Sequence, residues 1–159
     1  MTILTTHVGS LPRPKIVSEL LFKREKEEEY NLQYFEEVIS KSVEEVVKKQ
    51  LDVGVDIISD GEMSKISYAT YVKDRYNGFA GDSERNPPQD LEKFPNYMKK
   101  IADSGGTPTY SRPCCVAEIS SKKNNDLTND IKNILSASKK FNHNKICLLY
   151  TSDAADEGL

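Results

Sequence analysis

The chain has 159 residues, a formal net charge of −3, 37% hydrophobic residues and 30% charged residues, the size of one ordinary domain and the balance of a soluble globular protein. No apolar run approaches the roughly 18 residues that span a bilayer. The opening MTILTTHVGSLPRP lacks the basic and then apolar regions of a signal peptide, so a cytoplasmic protein without a membrane partner is expected.

The last thirteen residues hold Asp153, Asp156 and Glu157 and no Lys or Arg, which leaves the rest of the chain with equal numbers of acidic and basic side chains. A neutral body argues against nucleic acid as the main partner. The cysteines, Cys114, Cys115 and Cys147, form no CxxC pair, so neither a disulfide framework nor a zinc ribbon is indicated.

In chain order, residues 3–8 (ILTTHV) are β-prone and run into Gly9-Ser10, which predicts a strand ending in a loop. Pro12 and Pro14 fix that loop and permit a helix start just after them. Residues 15–29 predict a helix with Ile16, Val17, Leu20 and Leu21 on one side and a solvated charged end. Residues 33–53 carry Phe35, Val38, Ile39, Val43, Val46, Val47 and Leu51 at three- and four-residue steps, the clearest helical pattern, and Gly54 supplies its stop. Residues 55–58 (VDII) predict a short buried strand, followed by a helical stretch from about Ser64 to Tyr76. Residues 80–109 are rich in Gly, Pro, Asp and Asn, with a short apolar element near Phe94 to Ile101, and such excursions are usually functional or mobile. Residues 113–119 predict a third strand, Leu127 to Lys140 a further amphipathic helix capped by Asn125 or Asp126, and Lys145-Ile146 the start of a fourth strand.

Strands alternating with helices predict parallel pairing and right-handed crossovers. The expected class is α/β: the N-terminal half of a TIM (β/α)8 barrel over residues 1–146, with parallel strands and outer helices. A doubly wound open sheet is the alternative, but no GxGxxG follows the first strand.

In a parallel α/β protein the ligand site lies at the carboxyl ends of the strands, where Gly9-Ser10, Asp60-Gly61-Glu62 and Ser111-Arg112 fall. Gly9 lets backbone approach a ligand, and Ser10 offers an N–H and a hydroxyl to a carboxylate; an ordinary turn before Pro12 is the simpler alternative. Glu62 can hold a ligand ammonium, or Asp60 and Glu62 can serve a helix N-terminus. Arg112 can meet an anion or form a surface ion pair. His7 shares a strand face with Thr5 and Gly9 and reads best as a satisfied core residue. His143 has no ligand partner at metal spacing, and Tyr68, Tyr71 and Tyr76 read as packing.

Three segments together, TTHVGSLPRP, QLDVGVDIISDGEMSK with its extension SYATYVKDRYNGFAG, and YSRPCCVAEIS, resemble the cobalamin-independent methionine synthase family, in particular its short single-barrel branch. The resemblance covers nearly all of residues 4–146 in order. It implies a zinc-dependent barrel that moves a methyl group from 5-methyltetrahydrofolate, as its polyglutamate, to homocysteine, giving methionine: a 5-methyltetrahydropteroyltriglutamate–homocysteine S-methyltransferase-like enzyme. Zinc in that family holds the thiol as its nucleophilic thiolate. By position, Gly9 and Ser10 correspond to contacts to the homocysteine carboxylate, Glu62 to the contact to its amino group, and Ser111 and Arg112 to the folate region, from which this chain departs at Pro113 and the Cys114-Cys115 doublet. The family's zinc ligands belong to the second half of the barrel, so this chain is expected to supply no metal ligand and to be inactive alone. The alternatives are a zinc-dependent thiol alkyltransferase of the epoxide–coenzyme M transferase type, and a non-catalytic binding or assembly module. The stretch CLLYTSDAADE resembles a translated sequencing adapter, so residues 147–159 are expected to be a non-native tail.

Overall fold

The computed structural model describes residues 3–82, 91–103 and 113–147. The chain divides into two units, one made of residues 1–66 and 123–159 and the other of residues 67–122.

In the first unit, helix α1 (Lys15–Glu25) starts directly after Pro14. It ends earlier than the predicted residue 29 because Glu27 takes a left-handed conformation, φ +57°, which interrupts a right-handed helix. Helix α2 (Leu32–Asp52) is capped by the Asn31 side chain, which accepts from the Tyr34 N–H. Its heptad-like stripe, Phe35, Ile39, Val43, Val46 and Val47, is buried. Gly54 closes it at φ +83°, with the Gly54 N–H donating to Leu51 and the Val55 N–H to Gln50, the paired bonds of a Schellman stop. Helix α5 (Asp126–Lys140) packs against α2 through Ile134 and Ala137. Arg24 of α1 pairs with Asp126 at 2.5 Å.

The predicted strands of this unit are reduced to a narrow ribbon. Thr6 bridges Ile57, and Ile58 bridges Ile146, both in parallel. The order is residue 6, then 57–58, then 146, so the first two predicted strands are parallel as expected, with the fourth on the other side. Ile58 is fully buried and sits in one cluster with Val17, Leu20, Leu21, Val47, Met63 and Ile134. The Cys147 N–H donates to the Ile58 carbonyl at 2.8 Å, so the ribbon runs one residue into the segment that the sequence assigns to the tail. Residues 148–159 lie outside the described residues.

The second unit corrects the sequence reading. Residues 113–119 were expected to join a parallel sheet; strand β2 (Cys114–Ser121) instead pairs antiparallel with β1 (Tyr76–Ala80). Strand β1 follows helix α3 (Tyr68–Arg75) without a break, and α3 is shorter than the predicted 64–76. Ser67 and Thr70 form a capping box at its start, which fixes the N-terminus four residues later than expected. The short apolar element of the excursion is helix α4 (Pro95–Asp103), with proline at the first position, where its missing N–H is no loss. Every residue of β2 after Cys114 is exposed.

Gly78 is the pivot of this hairpin. The register slips between Asn77 and Phe79, and Gly78 adopts φ +94°. A Cβ there would sit 2.7 Å from the Glu118 carbonyl oxygen and 2.8 Å from that of Ala117. Backbone oxygens cannot swing aside as a side-chain tip can. Gly78→Ala is therefore expected to cost at least about 2 kcal/mol and to open the hairpin, since strain and clash act together. Gly54→Ala meets no atom within 4 Å and should cost only about 1 kcal/mol, from its positive φ alone. Equal losses of the two variants in thermal unfolding would remove the steric argument.

Candidate functional site

The parallel bridge between Thr6 and Ile57 sends both segments out of the ribbon in one direction, so residues 9–14 and 59–65 form two neighbouring loops at their carboxyl ends. The Leu11 N–H donates to the Gly61 carbonyl at 3.0 Å and ties the loops together. Gln50 of α2 supports the second loop from behind. Its side-chain amide accepts from the Ser59 N–H at 2.9 Å and donates to the Ser59 carbonyl at 2.8 Å, as a neighbouring strand would.

Within this frame Ser10 and Glu62 meet: the Ser10 hydroxyl donates to Glu62 Oε2 at 2.5 Å. Gly61 and Glu62 are consecutive left-handed residues, φ +63° and +56°. A non-glycine residue in that region costs roughly 1–2 kcal/mol, and such outliers persist only where surrounding structure holds them. Here Asp60 holds one side: its Oδ1 accepts from the Glu62 N–H at 2.9 Å. Gly9, at φ +89° with open space where a Cβ would stand, turns the first loop.

Beneath the pair lies a buried ion pair, Lys65 Nζ to Asp60 Oδ2 at 3.3 Å, with side chains only 2% and 3% exposed. Arg13 reaches across from the first loop. Its Nη2 donates to the Ser10 hydroxyl at 3.1 Å, the Glu62 carbonyl at 3.1 Å and the Lys65 carbonyl at 2.7 Å, and its Nε donates to the Glu62 carbonyl at 3.2 Å. Burial pushes the Arg13 pKa down, and the nearby Glu62 and Asp60 carboxylates oppose this. The cluster holds two cationic and two anionic side chains, with the Glu62 carboxylate at its partly exposed edge. Asp60 and Lys65 are buried against each other, so Glu62 and Arg13 are the charged groups of the cluster that solvent reaches in part.

At the other end of the ribbon, Asp56 accepts from the Thr5 N–H and hydroxyl, both at 2.9 Å. Those bonds are the main reason its carboxyl sits below its ordinary range. His143 Nε2 lies 3.0 Å from the Asp56 carbonyl and 3.1 Å from that of Lys145, a structural clamp between segments. His7 departs from the satisfied core residue expected: its Nε2 is buried with no hydrogen-bond partner among the described residues. Tyr71 carries the Arg75 guanidinium 3.5 Å above its ring, and Tyr76 is exposed.

Of the residues singled out by sequence, the structure brings Gly9, Ser10 and Glu62 to one place. Ser111 and Arg112 lie outside the described residues. Arg13 and Lys65 were missed. Arg13 stood as one residue of a proline-fixed loop, and Lys65 as an ordinary helix lysine. An acidic–Gly–acidic turn with a lysine five residues after its first carboxylate was the one local hint. Among the described residues no group of three or more His, Cys, Asp or Glu side chains could hold a metal ion, so those residues do not fit zinc. No described helix is long and apolar enough to cross a membrane.

Comparison with known proteins bears on this geometry. A B12-independent methionine synthase from Shewanella sp. W3-18-1, solved in complex with selenomethionine, shares the fold with a TM-score of 0.50 at 20% identity, over 85% of this chain and 35% of that one. A methionine synthase of Sulfolobus acidocaldarius is 28% identical over 133 residues, 83% of this chain and 37% of the relative. The chain thus spans little more than a third of the length of these relatives. The family described as the cobalamin-independent synthase catalytic domain matches residues 3–86, which include both loops of the site and more than half of the chain. This mixed α/β chain belongs to the cobalamin-independent synthase catalytic-domain family.

Proposed function

We propose that this chain is the N-terminal part of a cytoplasmic (β/α)8-barrel methyltransferase in which Ser10 and Glu62 bind the amino-acid end of homocysteine, the methyl group coming from a folate. On this reading zinc, which would hold the thiol as thiolate, takes its ligands from outside the chain, and residues 147–159 are an adapter-derived tail. Ser111 and Arg112 are assigned to the folate side by their place in the resemblance.

The observation that carries the reading is the meeting of Ser10 and Glu62 at 2.5 Å, on loops that leave parallel neighbouring segments. The carboxylate faces a ligand ammonium, while the Gly9-Ser10 turn offers backbone N–H to the ligand carboxylate, the Ser10 hydroxyl proton being given to Glu62. Each charge-assisted contact is worth on the order of 1.5–3 kcal/mol.

The test is Glu62→Gln in the complete enzyme. The homocysteine KM should rise roughly ten- to a hundredfold, each 1.4 kcal/mol being a factor of ten, with zinc content unchanged. Coenzyme M, a thiol without an amino group, should be almost indifferent. Equal damage with both thiols would make Glu62 structural, and no damage with either would remove the amino-acid reading.

A further inference from the structure

The family resemblance gives roles to Ser10 and Glu62 but leaves open what holds them. The Glu62 backbone is left-handed without being glycine, and it projects from a loop whose neighbour belongs to a distant part of the chain. Arg13 is a charged side chain whose bonds join both loops. It spends its Nε and Nη2 donors on three acceptors, the Glu62 and Lys65 carbonyls of one loop and the Ser10 hydroxyl of its own. None of these bonds reaches the Glu62 carboxylate, whose Oε2 is met by Ser10 instead. The guanidinium therefore fixes the backbone on which the carboxylate stands and orients the hydroxyl that meets it, leaving the second carboxylate oxygen for a ligand.

We infer that Arg13 is a positioning residue for amino-group recognition, acting through the Glu62 carbonyl and the Ser10 hydroxyl. This rests on the reading of Glu62 as the ligand-ammonium contact. The planar fork is essential to the role. Nε and Nη2 converge on one carbonyl while Nη2 also reaches two further oxygens. A lysine ammonium keeps the charge but is a point donor on a flexible stem and cannot hold that set together. Charge alone is therefore the wrong substitute for the guanidinium.

The test uses the 159-residue chain and two probes, L-methionine and 4-(methylthio)butanoate, which differ only by the amino group. Binding is followed by NMR titration in the wild type, E62Q, R13Q, R13K and the double variant R13Q/E62Q. The wild type should prefer L-methionine by about tenfold, the scale of one charge-assisted contact. E62Q should abolish that preference, and both R13Q and R13K should remove most of it while the affinity for 4-(methylthio)butanoate changes by less than about twofold. The double variant should be no worse than E62Q, because both changes break one contact. A loss shared equally by the two probes, full activity of R13K in this assay, or additive losses in the double variant would each overturn the role of Arg13. If E62Q abolishes the preference and R13Q does not, the Arg13 inference fails and the Glu62 reading stands. A wild-type chain without any preference overturns both.

Discussion

Asp60→Ala is expected to destabilise the first unit by about 3–5 kcal/mol, the cost of breaking a buried ion pair by removing one partner. The Lys65 ammonium is almost wholly buried against that carboxylate, and loss of the carboxylate removes this ion-pair partner from a site that water hardly reaches. The same substitution removes the acceptor for the Glu62 N–H, so the loop loses its anchor together with its charge balance. Two further variants separate these effects. Asp60→Asn keeps an oxygen for the Glu62 N–H and removes the charge, so it should recover only part of the loss. Asp60→Asn combined with Lys65→Met removes both charges and should recover most of it, because replacing both partners is often neutral. Urea midpoints decide the matter: if Asp60→Ala costs less than about 1 kcal/mol, the usual scale of an exposed pair, the pair is not buried in solution.

The second large effect belongs to Ile58→Ala, with an expected loss of roughly 2–5 kcal/mol. Ile58 is 0% exposed and central in the ribbon, its N–H donating to Lys145 and its carbonyl accepting from Cys147. Its side chain fills the space between α1, α2, Met63 and α5, and those elements are pinned to one another by further contacts, so collapse onto the gap is restricted. Ile58→Val should cost about 0.5–1.5 kcal/mol. A loss for Ile58→Ala no greater than that for Ile58→Val would mean that the centre of the ribbon is loosely packed.

The helices were legible in the sequence, and the strand partners were not. The stripe from Phe35 to Leu51 with Gly54 behind it gave α2 to within one residue at each end, because period, burial and a positive-φ stop all agree there. Leu127 to Lys140 was read equally well. The segments expected as strands at 3–8, 55–58 and 145–146 form only single parallel bridges, Thr6 with Ile57 and Ile58 with Ile146, in the orientation that helical crossovers imply. The strand at 114–121 was found, but its partner was not, since YNGFA carries a glycine in its middle and reads as a turn. Its conformation depends on carbonyls of residues 117 and 118, which no local pattern announces. At the site, Ser10 and Glu62 were named from strand-end logic and resemblance. Arg13 escaped because its bonds run to backbone carbonyls 49 and 52 residues away, and a carbonyl leaves no trace in residue type.

The division into units bears on how the chain can vary. Residues 67–122 form a unit of their own, inserted between two segments that must pair, Ile58 with Ile146. Closing a loop costs free energy only as the logarithm of its length, about 0.6 kcal/mol per doubling. Removing the whole insertion would therefore alter the entropy of that pairing by less than about 1.5 kcal/mol, and adding a few residues to it would change almost nothing. The ribbon consequently places hardly any thermodynamic restraint on the length of residues 67–122. Related chains can lengthen, shorten or rebuild that stretch while the loops bearing Ser10, Arg13 and Glu62, which precede it in sequence, keep their geometry.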